Sequence, residues 1–160
     1  MSKRNYLMTL IIIILDQLTK YFVIDKNIIV IPNFLNITYT KNTGGAFGLG
    51  TINIITIINI LLLIVMIAFI IKENKKIRYF FPFVLIISGT IGNLIDRIFR
   101  GYVIDFIDIN LFNFPNFNVA DICITIGIFI IVFILIKQII KRRWEKCILI
   151  KLYQNYQLLI

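Results

Sequence analysis

An all-α membrane protein with four transmembrane helices and both termini in the cytoplasm is the fold this sequence predicts, and three observations carry the prediction. Of the 160 residues, 59% are hydrophobic and only 16% charged, a balance too apolar for an ordinary soluble domain. The apolar residues gather in four runs of about 20, the length a helix needs to cross a bilayer core. Twelve of the seventeen Lys and Arg fall at residues 3–4, 72–78 and 137–151, beside the ends of those runs, as cytoplasmic loops are marked. The formal charge of +9 therefore reads as orientation rather than as a polyanion groove, and no nucleic-acid partner is expected. The chain reads as one integral membrane domain over 1–160.

The first run, 6–24, follows Lys3 and Arg4. A basic start and an apolar middle also suit a signal peptide. No small-residue cleavage site follows, however, and Asp16, Gln17 and Lys20 interrupt the run, so a retained helix is predicted. Asp16 and Lys20 stand four apart with the acid first; they share a helix face and can pair near its outer end. Residues 25–51 are too polar to span. Within them Asn36-Ile-Thr-Tyr-Thr40 alternates and predicts a short strand. The glycines of Asn42-Thr-Gly-Gly-Ala-Phe-Gly48 suit either a plain turn or a loop whose backbone closes on a ligand.

A second span is predicted at 52–71 and a basic loop at 72–78. A third span runs over 79–98, with Pro82 in its first turn, where a missing N–H costs little. Asn93, Asp96 and Arg97 fall at i, i+3 and i+4 of that helix, on one face. Residues 102–109 suit an extended segment in which Asp105 and Asp108 point to opposite sides. Only one of them can face a membrane site, and periodicity does not choose between them. The fourth span, 118–138, opens on Asn118, a good helix cap. Asn118 shares a face with Asp121 and Thr125, and Lys141-Arg-Arg143 closes the span. The apolar tail 147–160 has no assigned role. Both polar loops, and with them the cluster of acids and amides, fall at the outer membrane boundary.

Absent residue types narrow the chemistry. There is no histidine, so Ser-His and Cys-His nucleophiles cannot be built. Two cysteines in separate runs suit neither a zinc site nor a disulfide. Ser88 has no base near it in sequence. No metal or cofactor is expected, and any catalysis falls to carboxylates. Two carboxyls a few ångströms apart share a proton; the ionised one can activate water while the protonated one polarises a carbonyl. Asp96, Asp105, Asp108 and Asp121 are the candidates for such a pair, although Asp96 beside Arg97 reads equally as an ion pair. Interfacial caps and ion pairs, or a proton pathway, would use the same residue types. The pathway fits less well, since the acids collect at one end and the second and fourth spans are nearly featureless.

The ordered motifs Asp16-Gln-Leu-Thr-Lys20, Asn42-Thr-Gly-Gly-Ala-Phe47, Gly92-Asn-Leu-Ile-Asp-Arg97, Val103-Ile-Asp-Phe106 and Phe117-Asn-Val-Ala-Asp121 together resemble those of the bacterial lipoprotein signal peptidases (signal peptidase II). The resemblance covers roughly residues 5–140. It implies an aspartic endopeptidase, multi-pass in the inner membrane, that cuts the signal peptide from prolipoproteins before a diacylglyceryl-modified cysteine. It implies Asp105 and Asp121 as the catalytic pair, choosing Asp105 over Asp108. Asn42, Asn93, Arg97 and Asn118 become substrate-positioning and supporting groups, and Asp16, Lys20 and Asp96 structural support. A small extracytoplasmic β element and inhibition by globomycin-type cyclic peptides are implied as well; contact with membrane lipids and a monomeric state are expected. The Gly-x-Gly-Asp motif of presenilin-like proteases is absent.

Overall fold

The computed structural model describes residues 3–44, 52–73, 80–111 and 114–157. Along the chain they form α1 (Lys3–Phe22), β1 (Asn27–Ile31), β2 (Leu35–Asn42), α2 (Ile52–Glu73), α3 (Phe81–Arg100), β3 (Val103–Ile109) and α4 (Val119–Gln157). Most of the Gly-rich segment, 45–51, and most of the basic loop, 74–79, lie outside the described residues. The chain divides into two compact units, Met1–Gly127 and Ile128–Ile160, with the boundary inside α4.

Three helical stretches, Asn53–Lys72, Phe81–Arg100 and Val119–Ile148, are long and apolar enough to cross a membrane, and the protein is a multi-pass membrane protein. α1 is of similar length, but Asp16, Gln17 and Lys20 interrupt its apolar sequence. α3 is the central helix of the first unit: 61% of its membrane window is buried, against 6% for α2. Its Pro82 lies at the start, and Gly101 closes it in the left-handed region at φ 76°, where glycine meets no Cβ penalty. Seven of the eight helix boundaries fall within three residues of the expected ones, with one large exception. The fourth helix does not stop near 138 but runs on to Gln157, because Lys141 to Lys146 are good helix formers and nothing breaks the helix after them. In the second unit, Phe129 and Phe133 are exposed on its apolar part, and Lys141 and Glu145 pair across one turn at 3.8 Å.

The polar loops form a three-stranded antiparallel sheet in the order β1-β2-β3. The expected strand at 36–40 belongs to β2, and the extended segment at 102–109 is β3. β1 was not anticipated: Asn-Ile-Ile-Val-Ile is continuously apolar rather than alternating, and all five residues are exposed. Asn33, at φ 60°, makes the tight turn from β1 to β2, a conformation asparagine tolerates. Between Ile37 and Thr40 the β2–β3 register shifts; such a bulge twists the strand and re-aims its side chains. Asp108 then lies opposite Asn36, and Asp105 opposite Thr40.

One connection beyond the sheet sets up the site. Ile107 N–H donates to Phe117 O at 2.8 Å and Phe117 N–H donates back to Ile107 O at 3.1 Å. The chain entering α4 is thereby stitched to β3, which draws Asp105 toward Asn118 and Asp121.

Candidate active site

Asn118 and Asp121 form a reciprocal cap at the start of α4. The Asp121 N–H donates to Asn118 Oδ1 at 3.0 Å, and the Asn118 N–H donates to Asp121 Oδ2 at 3.2 Å. This is the logic of a capping box, two orphan amide donors satisfied by two side chains. It also leaves Asn118 Nδ2 pointing away from the helix, where it donates to Asp105 Oδ1 at 2.7 Å.

The other two amides at the site are oriented in the same way. Gly44 N–H donates to Asn42 Oδ1 at 2.9 Å, so Asn42 Nδ2 turns to Asp105 Oδ2 at 2.8 Å. Asn93 Oδ1 accepts from Lys20 Nζ at 2.9 Å, so Asn93 Nδ2 turns to Asp121 Oδ1 at 2.7 Å. An ammonium only donates, which decides which end of Asn93 faces it. Every carboxylate oxygen of Asp105 and Asp121 thus accepts at least one hydrogen bond. Asp105 is buried, and that desolvation pushes its carboxyl up to about 6, with the nearby Asp121 charge adding to the rise and the Asn42 and Asn118 amides opposing it.

Asp105 and Asp121 border one cavity of about 510 Å³ together with Asn42, Asn93 and Arg97. Val103, Phe117, Ile122 and Ile126 give it apolar walls, and Thr125 lies one turn beyond Asp121. The cavity mixes carboxyl and amide groups with a surface suited to an apolar chain. Arg97 donates to the Asn93 carbonyl at 3.3 Å, and its Nε, buried beside the cavity, has no hydrogen-bond partner among the described residues.

Behind the cavity lies a second polar cluster. Lys20, Asp16 and Asp96 are each 0% exposed. Lys20 Nζ lies 2.8 Å from Asp16 and 3.0 Å from Asp96, and the pairing of Asp16 with Lys20 was expected from their spacing. Asp16 Oδ1 also accepts the Ala120 N–H at 2.9 Å, tying α1 to the first turn of α4. Asp96 accepts the Ile104 N–H at 3.1 Å and pairs with Arg100. The alternative of an ion pair between Asp96 and its neighbour Arg97 is not the arrangement found: successive residues on a helix diverge by about 100°, so Asp96 faces Lys20 and Arg100 while Arg97 faces the cavity. Asn93, Asp96 and Arg97 occupy one broad side of α3 but divide between the two clusters.

Asp108 lies apart, accepting from Asn36 at 3.4 Å and Thr38 at 3.3 Å within the sheet. The opposite-side reading of Asp105 and Asp108 holds. Ser88 Oγ donates to the Val84 carbonyl at 2.6 Å and is a satisfied helix serine. Sequence reasoning missed Gln17 and Arg100. Gln17 Nε2 lies 3.1 Å from the Gly92 carbonyl and 3.3 Å from Asp96, and Arg100 donates to Gln17 Oε1 at 3.0 Å. The i, i+4 spacing of Asp96 and Arg100 was the available signal. Among the described residues no group of three or more His, Cys, Asp or Glu side chains is arranged to hold a metal ion.

Comparison with known proteins gives this geometry its context. The family model described as signal peptidase (SPase) II matches residues 8–137. The lipoprotein signal peptidase of Staphylococcus haemolyticus (strain JCSC1435) is 41% identical over 153 residues, covering 86% of this chain and 97% of that protein. The lipoprotein signal peptidase of Staphylococcus aureus (strain JH9) is 40% identical over 144 residues, covering 84% and 88%. A solved bacterial membrane enzyme structure, obtained by the in meso method at 2.3 Å, superposes with a TM-score of 0.76 at 37% identity, covering 84% of this chain and 88% of that one. A second, at 1.9 Å, gives 0.74 at the same identity. With five motifs in order and a match over most of its length, this chain belongs to the signal peptidase II family.

Proposed function

We propose that this protein is an aspartic endopeptidase that removes signal peptides from diacylglyceryl-modified prolipoproteins, cutting before the lipidated cysteine at the outer face of the bacterial cytoplasmic membrane. Membership of the family supports signal-peptide removal from prolipoproteins as the activity. The observation that carries the mechanism is that Asp105 and Asp121, from β3 and the first turn of α4, border one cavity, each held by oriented amide donors.

In this reading the two carboxyls share one proton. The ionised member takes a proton from water as the water oxygen bonds to the scissile carbonyl carbon. The protonated member hydrogen-bonds the carbonyl oxygen as negative charge develops there. The tetrahedral intermediate collapses with cleavage of the C–N bond, and the proton taken from water passes to the leaving nitrogen. The products are a signal peptide ending in a carboxylate and a lipoprotein beginning with the amine of its cysteine. Asn42, Asn93 and Asn118 hold the carboxyls in place, and Arg97, which lines the cavity, offers its guanidinium to a substrate carbonyl. Asp16, Lys20 and Asp96 support the site from behind.

The same reading takes α1 as a fourth span, with both termini cytoplasmic and the sheet outside, in a single domain that acts as a monomer. The positive-inside distribution supports that orientation. Diacylglyceryl chains can then remain in lipid while the scissile bond reaches water at the surface. Globomycin-type cyclic peptides are expected to compete for the cavity.

The test uses purified wild type, Asp105→Asn and Asp121→Asn with a diacylglyceryl-modified prolipoprotein. Both variants are expected to stay folded and to release no signal peptide above background. Cleavage by either at near wild-type rate would remove that aspartate from the mechanism.

A further inference from the structure

Thr125 shares a helix face with Asn118 and Asp121 and has no part in the mechanism above. It is exposed and lines the cavity that holds the two acids. Past Asp121, the residues of α4 that line this cavity are Ile122, Ile124, Thr125 and Ile126, so one hydroxyl stands among three isoleucines. A helical threonine ordinarily donates to a carbonyl one turn back. Thr19 of α1 does so, to Leu15 at 3.0 Å and to Asp16 at 2.8 Å. Thr125 makes no such bond, and no other among the described residues. Its hydroxyl is open to whatever fills the cavity.

Position selects the partner. Thr125 lies four residues beyond Asp121, about 6 Å along the helix at 1.5 Å per residue. It is that much further into the membrane helix than the carboxyl pair, on a wall that is otherwise hydrocarbon. A peptide backbone running along this wall would present a carbonyl at every residue, and the α4 wall past Asp121 has a single side-chain donor. A diacylglyceryl group presents a different order. Its ester carbonyls lie a few bonds from the cysteine sulfur, and only hydrocarbon follows them. An acceptor followed by an acyl chain matches Thr125 followed by Ile126, which lines the cavity and is itself exposed.

We propose that Thr125 is a specificity residue whose hydroxyl donates to an ester carbonyl of the diacylglyceryl group, with the acyl chain continuing past Ile126. The proposal rests on the peptidase reading above, which seats the lipidated cysteine at Asp105 and Asp121.

The experiment compares two lipopeptides of one sequence and chain length, one with a diacylglyceryl cysteine and the other with its dialkyl ether analogue. The ether keeps the hydrocarbon and lacks the carbonyls. Binding is measured on Asp105→Asn, so that cleavage does not intervene; kcat and KM are measured on the enzyme with both acids. Each background carries Thr125, Thr125→Val or Thr125→Ser. With Thr125 in place the ester should bind about fivefold more tightly than the ether, the effect of one hydrogen bond. Thr125→Val keeps the shape and the branched Cβ. It should erase the preference by weakening the ester alone, and the loss should appear in KM rather than kcat. Thr125→Ser should keep most of the preference. Equal binding of ester and ether with Thr125 in place would overturn the proposal. So would a Thr125→Val loss shared by both lipopeptides, which would put the hydroxyl on a peptide carbonyl, or no loss at all. An ester preference that depends on Thr125, without cleavage by the enzyme with both acids, would uphold the contact and overturn the peptidase reading instead.

Discussion

Three asparagines, Asn42, Asn93 and Asn118, each have their carbonyl end occupied by a donor, and that occupation delivers the amide N–H to an aspartate. An asparagine free to flip would present an oxygen to a carboxylate half the time. Here Gly44, Lys20 and the Asp121 amide decide the orientation. The Asn42 amide favours ionised Asp105, so Asn42→Ala should raise the Asp105 pKa. The limb of the kcat/KM profile that reports this group, near 6 in the wild type, should move to higher pH; an unmoved limb would separate Asn42 from Asp105. The raised carboxyl also bears on stability. A folded-state value above the unfolded one contributes stability below the unfolded pKa, and that contribution is lost as pH rises through about 6. Thermal denaturation followed between about pH 4 and pH 7 should therefore slope downward through this group, and Asp105→Asn should flatten the slope. Lys20 is the cation of a buried cluster, and Lys20→Met should cost about 3–5 kcal/mol, because it leaves Asp16 and Asp96 short of a buried positive charge. Lys20→Met/Asp16→Asn should recover part of that loss in the same melt. Equal destabilisation by both variants would mean charge balance is not what holds the cluster.

At the scale of elements, two close approaches and one stitch bring the acids together. A Cβ at Gly89 would overlap the Ala120 carbonyl oxygen and lie 2.8 Å from Ile124 Cγ1, and one at Gly92 would lie 2.5 Å from Asp16 Oδ2. α3 can therefore approach the first turn of α4 and the buried carboxylate of α1 only with glycine at these positions. Gly89→Ala meets a backbone atom that cannot turn aside, and overpacking of this kind costs about 1–3 kcal/mol. The melting temperature should fall, and cleavage should fall with it as Asp121 shifts. Full activity in Gly89→Ala would show that the two helices separate without cost. The Ile107–Phe117 stitch and the β2 bulge work alongside these contacts: one draws Asn118 to Asp105, and the other sets which β2 residues lie opposite the acids of β3.

For the whole molecule, the distribution of Lys and Arg makes a topological prediction. Cys147 is exposed on the far part of α4, among the basic residues expected inside. In intact spheroplasts an impermeant maleimide should leave Cys147 unmodified and label it once the membrane is opened. A cysteine in place of the exposed Lys41, on the sheet, should react in the intact cells, in a background where Cys123 is replaced by alanine. Labelling of both sites from outside would overturn the four-span orientation.

Much of this protein was legible along the chain. Apolar runs fixed by bilayer thickness mark the membrane helices, and i, i+4 spacing paired Asp16 with Lys20. The cap at Asn118 followed from residue type, since a helix start needs an acceptor. Each of these depends only on neighbours within a turn or two. The apolar β1 strand escaped because it does not alternate, and the extension of α4 to Gln157 because the tail carries no break signal to read. The choice between Asp105 and Asp108 lay beyond periodicity, which divides them between two faces of a strand without saying which face meets α4. The tertiary structure decided which of the two lies beside Asn118 and Asp121, through the bulge in β2, the stitch to Phe117 and the close passage of α3 at Gly89 and Gly92. It also separated Asp96 from Arg97 and drew Gln17 and Arg100 into the buried cluster. Those outcomes depend on pairings between residues 63 to 104 positions apart in the chain, and no local pattern encodes which distant donor a buried carboxylate will meet.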